Sequence, residues 1–272
     1  MREDLNLRDK HVPRKRFGQH FLHDPGAIGR IFAALAPRAG DTLVEIGPGR
    51  GALTRQLLAC SGCTLDAIEI DRDLAAQLRP AFAGEARHSL HVADALEFDY
   101  TGLAALRGGR LRIVGNLPYN ISTPLLFRLL AHADAIADAH VMLQREVVAR
   151  LAARPGGGDY GRLTVMLAPR IDVERLFDLG PGAFQPPPRV WSAVARLTVL
   201  TEPRFAVSRH YAQVVQAAFS QRRKTLRNAL ARLMSGAEIA ACGIDPGARP
   251  ETLAPQEFNA LALTLDRTRL SG

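Results

Sequence analysis

From Thr42 onward, short apolar runs alternate with segments of helical periodicity, and that alternation admits few folds. Strands separated by helices build a parallel sheet covered on its faces, whose strands read as nearly continuous apolar runs. Residues 42–46, 64–70, 89–93, 111–114 and 140–143 have that character. Between them, 51–59 sets Leu53, Leu57 and Leu58 on one helical face. Residues 72–82 and 123–132 are further helical segments, and Val147, Val148 and Leu151 mark another. After the flexible loop Pro155-Gly156-Gly157-Gly158, the spacing predicts a helix over 160–169 and strands over 173–179 and 193–200. Beyond Thr201-Glu202-Pro203 only helical spacing remains: Tyr211, Val214, Val215, Ala218 and Phe219, then Leu226, Leu230 and Leu233, then Phe258, Leu261 and Leu265. The expectation is a doubly wound α/β domain over 1–202 and a small all-helical domain over 203–272.

The strand at 111–114 runs into Gly115-Asn116-Leu117-Pro118-Tyr119. Pro118 cannot donate to a ladder, so the chain must leave the sheet there. Ligands bind just beyond the carboxyl ends of strands in such sheets. The Asn116 amide, the Leu117 and Pro118 carbonyls and the Tyr119 ring then surround one small space. Acceptors beside a flat ring suit a planar group carrying an NH2. Two acceptors gripping the hydrogens of a base amine localise its lone pair, while the ring holds the base by stacking. The plain alternative is a strand-ending turn with a packed tyrosine.

A second strand end, Val44-Glu45-Ile46-Gly47-Pro48-Gly49-Arg50-Gly51, opens into a helix through three glycines, which let backbone approach a ligand. The dinucleotide fingerprint G-x-G-x-x-G is not in register here. Glu45 would repel a pyrophosphate but suits the ammonium of a methionine-like group, which favours S-adenosyl-L-methionine over NAD. Glu69 ends the next strand, where an acid grips ribose hydroxyls in dinucleotide folds. Asp94, ending the third, is placed to accept from the cofactor's adenine amine, with a helix cap as its other reading; Asp71 reads as an N-cap.

Lys+Arg 35 against Asp+Glu 27 leaves a net charge of +8, with arginine nearly all of the excess. Such a balance points to a polyanionic partner. The arm at 9–22 starts basic, with Arg14, Lys15 and Arg16, and ends aromatic, as a phosphate-contacting arm running into a lid would. Arg222, Arg223, Lys224 and Arg227 crowd a second basic stretch without intervening acids, read as phosphate contacts rather than a solvated face. The start of the chain has no apolar core of a secretory signal, and the longest uncharged run, 113–127, is too short to span a bilayer. Cys60-Ser61-Gly62-Cys63 has no second pair to complete a zinc site, so no metal is expected, and a cytoplasmic location is.

In this order the pieces closely resemble the rRNA adenine N6,N6-dimethyltransferases of the KsgA type, over essentially the whole chain. Carrying the resemblance are the stretches 14–22, 44–51, Asp94, Asn116 to Tyr119 with 120–125, 144–148 and 160–163. Most specific are Phe184-Gln185-Pro186-Pro187-Pro188-Arg189-Val190-Trp191-Ser192 and 219–228. The resemblance implies a Rossmann-like class I methyltransferase sheet with a small C-terminal all-helical domain. It places cofactor residues on His20, Leu22, Gly47, Glu69, Asp94 and Asn116, to which Glu45 and Gly49 are added from the turn itself; at His20 the family usually has Asn. It also implies the substrate, two adjacent adenosines in a hairpin loop near the 3′ end of 16S rRNA in the assembling small ribosomal subunit, each dimethylated, and a monomeric enzyme is expected.

With that substrate, Asn116 and the carbonyl of Leu117 or Pro118 hold the amine and Tyr119 stacks on the base. Phe184, held by three prolines, either covers the other face or anchors a proline-rich connector. A 23S rRNA adenine N6-methyltransferase of the resistance type and an rRNA-binding assembly factor with little catalysis are the rival readings.

Overall fold

The computed structural model describes residues 19–221 and 223–268. Arg14, Lys15, Arg16 and Arg222 lie outside the described residues, so their role as phosphate contacts has no structural account. The described chain divides into two compact units, one of residues up to 148 plus 173–199, the other of 149–172 plus 200 onward.

The first unit is built on β2 (Thr42–Ile46), β3 (Thr64–Glu69), β4 (His88–Val92), β5 (Leu111–Asn116), β6 (Ile136–Gln144), β7 (Ile171–Leu179) and β9 (Ser192–Val199). Among the described residues these form one sheet in the order β4-β3-β2-β5-β6-β9-β7. Pairing is parallel from β4 through β6, and β9 runs antiparallel to β6. All five residues of β2 are buried, which is why it reads as an apolar run with a carboxylate, Glu45, as its exception. The strand order turns back between β2 and β5, the switch point at which a parallel sheet opens a crevice.

Helices α2 (Ala52–Leu58), α3 (Arg72–Ala81), α5 (Ser122–Ala131) and α6 (Arg145–Leu151) fall where the periodicity predicts. Two more, α1 (Pro25–Leu35) and α4 (Tyr100–Arg107), lie outside the segments that the periodicity marks. Yet α1 carries start signals: Asp24 accepts from Ala27 N at 2.6 Å and Pro25 sits in the first turn. Its Ala27, Ile31 and Leu35 pack in one apolar cluster with Leu43, Leu57, Leu65, Val114 and Met142. A two-residue ribbon closes this cluster, β1 (Phe21–Leu22) pairing antiparallel with β8 (Phe184–Gln185).

The second unit is helical, with α7 (Arg162–Leu167), α8 (Tyr211–Phe219), α9 (Leu226–Ala229), α10 (Gly236–Ala241) and α11 (Pro255–Thr268). A boundary after 202 would leave 149–172 with the sheet; instead Tyr160 and Val165 are buried with Tyr211, Val214, Val215, Leu226, Phe258 and Leu261. The Tyr160 hydroxyl donates to Leu253 O and the Tyr211 hydroxyl to Val165 O, both at 2.9 Å. These buried hydroxyls must find partners, and they find them in segments far away along the chain. The helix expected through Leu233 stops at Ala229, though Leu230 stays fully buried. Ser235 and Glu238 form a capping box that starts α10.

Candidate active site

Four strand ends converge at the switch point. Gly47 and Gly49 follow β2, Glu69 ends β3, Ala93 and Asp94 follow β4, and Asn116 to Tyr119 leave β5. With Gln19, His20 and Phe21 they line an open cleft of about 740 Å³. Beside it lies a smaller hollow bordered by Leu22, Glu45, Pro48 and Arg50, sharing His20, Gly47, Gly49 and Asn116. The structure thus brings together Asn116, Leu117, Pro118, Tyr119, His20, Gly47, Gly49, Glu69 and Asp94, and places Leu22 and Glu45 against the adjoining space.

The glycine turn is needed as glycine. Gly47 and Gly49 hold φ of 69° and 57°, and a Cβ on Gly49 would stand 2.9 Å from the Phe21 ring. Gly49 N donates to Glu69 Oε2 at 3.2 Å and Asp71 N to Oε1 at 2.9 Å, which aims this carboxyl along the cleft wall. Glu45 is 2% exposed, and Thr54 of α2 donates to its Oε2 at 2.6 Å. Burial pushes both carboxyls up to about 7. For Glu45 the Thr54 hydroxyl works against that rise and the nearby Glu69 adds to it. For Glu69 the backbone N–H groups oppose it and Asp71 adds to it. Two buried acids held near neutrality are a site that gains by receiving a cation.

Asn116 Nδ2 donates to His20 O at 2.7 Å, leaving Oδ1 as the accepting end of the amide. Pro118 O already accepts from Ile121 N at 3.1 Å, so Leu117 O is the less committed of the two carbonyls. The Tyr119 hydroxyl is 2.6 Å from Ser192 Oγ, a fully buried partner that pins the ring. Burial raises the Tyr119 phenol above its usual range, with the Ser192 bond pulling the other way. The His20 ring stacks on Tyr119 with centroids 5.9 Å apart and planes 29° from parallel, and its Nδ1 meets Pro186 O at 2.8 Å. Asp94 Oδ1 accepts from Leu96 N at 2.9 Å, so it caps a turn while lining the cleft.

Phe184 does not reach the cleft. It is 1% exposed, paired through β8 with Leu22 and packed against α1 and the β-sheet in the apolar cluster. Phe184 is thus packed here as an anchor of the proline-rich connector, in the ribbon that β1 and β8 form. Sequence reasoning misses Thr54, Ser192 and Phe21. Thr54 and Ser192 act through single hydrogen bonds that leave no periodic trace, whereas Phe21 lies inside the lid segment, and its aromatic character there is the signal that marks it. Arg223, Lys224 and Arg227 are exposed in the second unit, Arg227 within α9.

Among the described residues no group of three or more His, Cys, Asp or Glu is placed to hold a metal ion, and no helix is long and apolar enough to cross a membrane. The Cys60 and Cys63 sulfurs are adjacent, with Cys63 Sγ 3.1 Å from Arg38 O.

A parallel sheet of this order, with a glycine turn and acids at successive strand ends, defines a Rossmann-like class I methyltransferase. Two solved structures share the fold: a Plasmodium falciparum dimethyladenosine transferase (TM-score 0.76, 23% identity, 92% of this chain and 98% of that one) and the 23S rRNA methyltransferase ErmE (TM-score 0.69, 28% identity, 90% and 99%). Residues 10–267 match the family described as ribosomal RNA adenine dimethylase, and the chain belongs to that family. Proteins named ribosomal RNA small subunit methyltransferase A are 55% identical in Pseudomonas aeruginosa, over 93% of this chain and 94% of the relative. In Nitrosococcus oceani the identity is 56%, over 92% and 95%.

Proposed function

We propose that the protein transfers methyl groups from S-adenosyl-L-methionine to N6 of two adjacent adenosines in a hairpin loop near the 3′ end of 16S rRNA, during assembly of the small subunit in the cytoplasm. It acts as a monomer and without a metal. The observation that carries this reading is the Asn116–Tyr119 turn at the switch point, two acceptors and a ring on one rim of the cleft.

S-adenosyl-L-methionine, when bound, supplies a methyl on a positively charged sulfur, an electrophile already activated by its charge. The glycine turn at 47–51 gives the backbone cradle, Glu69 accepts from ribose hydroxyls and Asp94 from the adenine amine. Glu45 faces the ammonium, a cation that would return its carboxyl to the ionised form. His20 and Leu22 close the space from β1 and the segment before it.

The target adenine leaves its loop at a cost of about a few kcal/mol, less from an unpaired loop. Tyr119 stacks on it, a contact worth ~1–3 kcal/mol. Asn116 Oδ1 and Leu117 O accept from the amine and turn its lone pair towards the methyl; the proton then passes to water. No strong base is required, so positioning dominates the rate. The basic residues 14–16, 222–224 and 227 meet phosphates. The resistance-type alternative is disfavoured by identity, 28% to ErmE against 54–56% to small-subunit relatives.

The test is methyl transfer from labelled S-adenosyl-L-methionine to unmethylated small subunits, followed by nucleoside analysis. N6,N6-dimethyladenosine in 16S rRNA is the expected product. Label confined to 23S rRNA would replace this reading with the resistance type. Tight subunit binding without label would replace it with an assembly factor.

A further inference from the structure

Trp191 is the single tryptophan of the chain, and half of its surface is exposed. An indole left that open at one defined place is an invitation to a partner, because the side chain is otherwise among the most buried on average. Its position is specific. It precedes Ser192, the residue whose hydroxyl pins Tyr119 at the rim of the cleft. Its carbonyl accepts from Arg145 N at 2.9 Å, and the Arg145 guanidinium carbon stands 5.9 Å from its ring centroid. Gly180 lies beside the indole, where a Cβ would stand in ordinary contact, 3.6 Å from Cη2. Arg145, Arg189 and Val190 around it are exposed.

We propose that Trp191, with Arg145 over it, is a stacking platform for the nucleotide next to the adenosine held at Tyr119. The inference rests on the methyl-transfer reading and extends its substrate contacts by one base. When one nucleotide is extruded from a single-stranded loop, its neighbour loses a stacking partner and presents a free face. Indole and guanidinium planes both stack on any base, and arginine adds attraction for the flanking phosphate. A base between them needs about 7 Å, twice the ~3.5 Å contact distance. The 5.9 Å gap reaches that by a small rotamer change in an exposed arginine. Trp191 is the chain neighbour of Ser192, the residue that holds Tyr119.

Because the chain has one tryptophan, its emission reports the contact directly. Wild-type protein is titrated with an RNA hairpin carrying the unmethylated loop, and with the same hairpin made abasic on either side of the target adenosine. Binding is followed separately by anisotropy of the labelled RNA. Expected are quenched emission with the intact hairpin and none with the abasic one. In parallel, Trp191→Ala is expected to raise KM for small subunits by about tenfold or more, with kcat and cofactor affinity unchanged, and Trp191→Phe to recover most of the loss. RNA binding without an emission change, equal quenching by the abasic hairpin, or a KM for Trp191→Ala equal to wild type would each overturn the platform. The fluorescence arm needs no variant, so it decides the question even where Trp191→Ala folds poorly. Methylation that proceeds with no dependence on Trp191 removes the platform alone, whereas absence of methylation by wild-type protein removes the reaction it rests on.

Discussion

Glu45 and Glu69 carry the cost of the site. Both are ordinary carboxyls in the unfolded chain and are raised to about 7 in the folded one. Folding therefore retains their protons, and their contribution to stability is complete below about pH 4.5. It is lost as the pH rises through about 7, where the unfolded chain has already released its protons. The ligand-free protein should melt at progressively lower temperature from pH 5 to pH 8. Glu45→Gln, neutral at every pH, should melt near wild type at pH 5 and above it at pH 8, while binding the cofactor more weakly. Calorimetry at both pH values checks the sign, and a constant difference would contradict it. Asn116→Ala removes the acceptor and the donor to His20 O together. Activity should fall at least a hundredfold, with cofactor affinity falling far less; parallel losses in titration calorimetry and turnover would refute that division of roles.

At the scale of elements, the central strands leave room for nothing. Gly115 in β5 sits against β2 so closely that a Cβ would lie 2.4 Å from Ile46 O, a backbone atom that cannot step aside. Gly115→Ala should cost about 1–3 kcal/mol and lower the melting temperature of the sheet unit, because β2 and β5 must separate at the switch point. Most of the strands and helices of this unit are legible in the sequence, since a buried parallel strand and an amphipathic helix each leave a local pattern. Helix α1 escapes because Gly26 and Gly29 weaken its propensity, although the Asp24 cap is readable. The ribbon of β1 and β8 has no local signal at all: its two strands are separated by more than 160 residues and span two residues each. That ribbon decides the fate of Phe184, which sequence reasoning could equally set beside a base.

For the molecule as a whole, charge and connectivity matter most. A net +8 with Arg223, Lys224 and Arg227 exposed predicts that affinity for rRNA falls linearly on a log–log plot against salt. Lys224→Ala should make that slope shallower by about one, leaving cofactor affinity unchanged; an unchanged slope would take Lys224 out of the contact. The second unit depends on residues borrowed from between strands of the first. Tyr160→Phe deletes the donor to the buried Leu253 carbonyl and should cost about 1–3 kcal/mol, read as earlier hydrogen exchange in α8 and α11. By itself the sequence determined the parallel strands, the glycine turn, the acids at successive strand ends and the Asn116–Tyr119 turn, because each strand, turn and strand-ending acid is written in a short local stretch. Only the tertiary structure decided that 149–172 belongs with the C-terminal helices, that Phe184 is core, and that His20 lies on Tyr119. Those outcomes come from contacts between distant segments, chosen by which buried surfaces and hydrogen-bonding groups can satisfy one another, and no local periodicity records them.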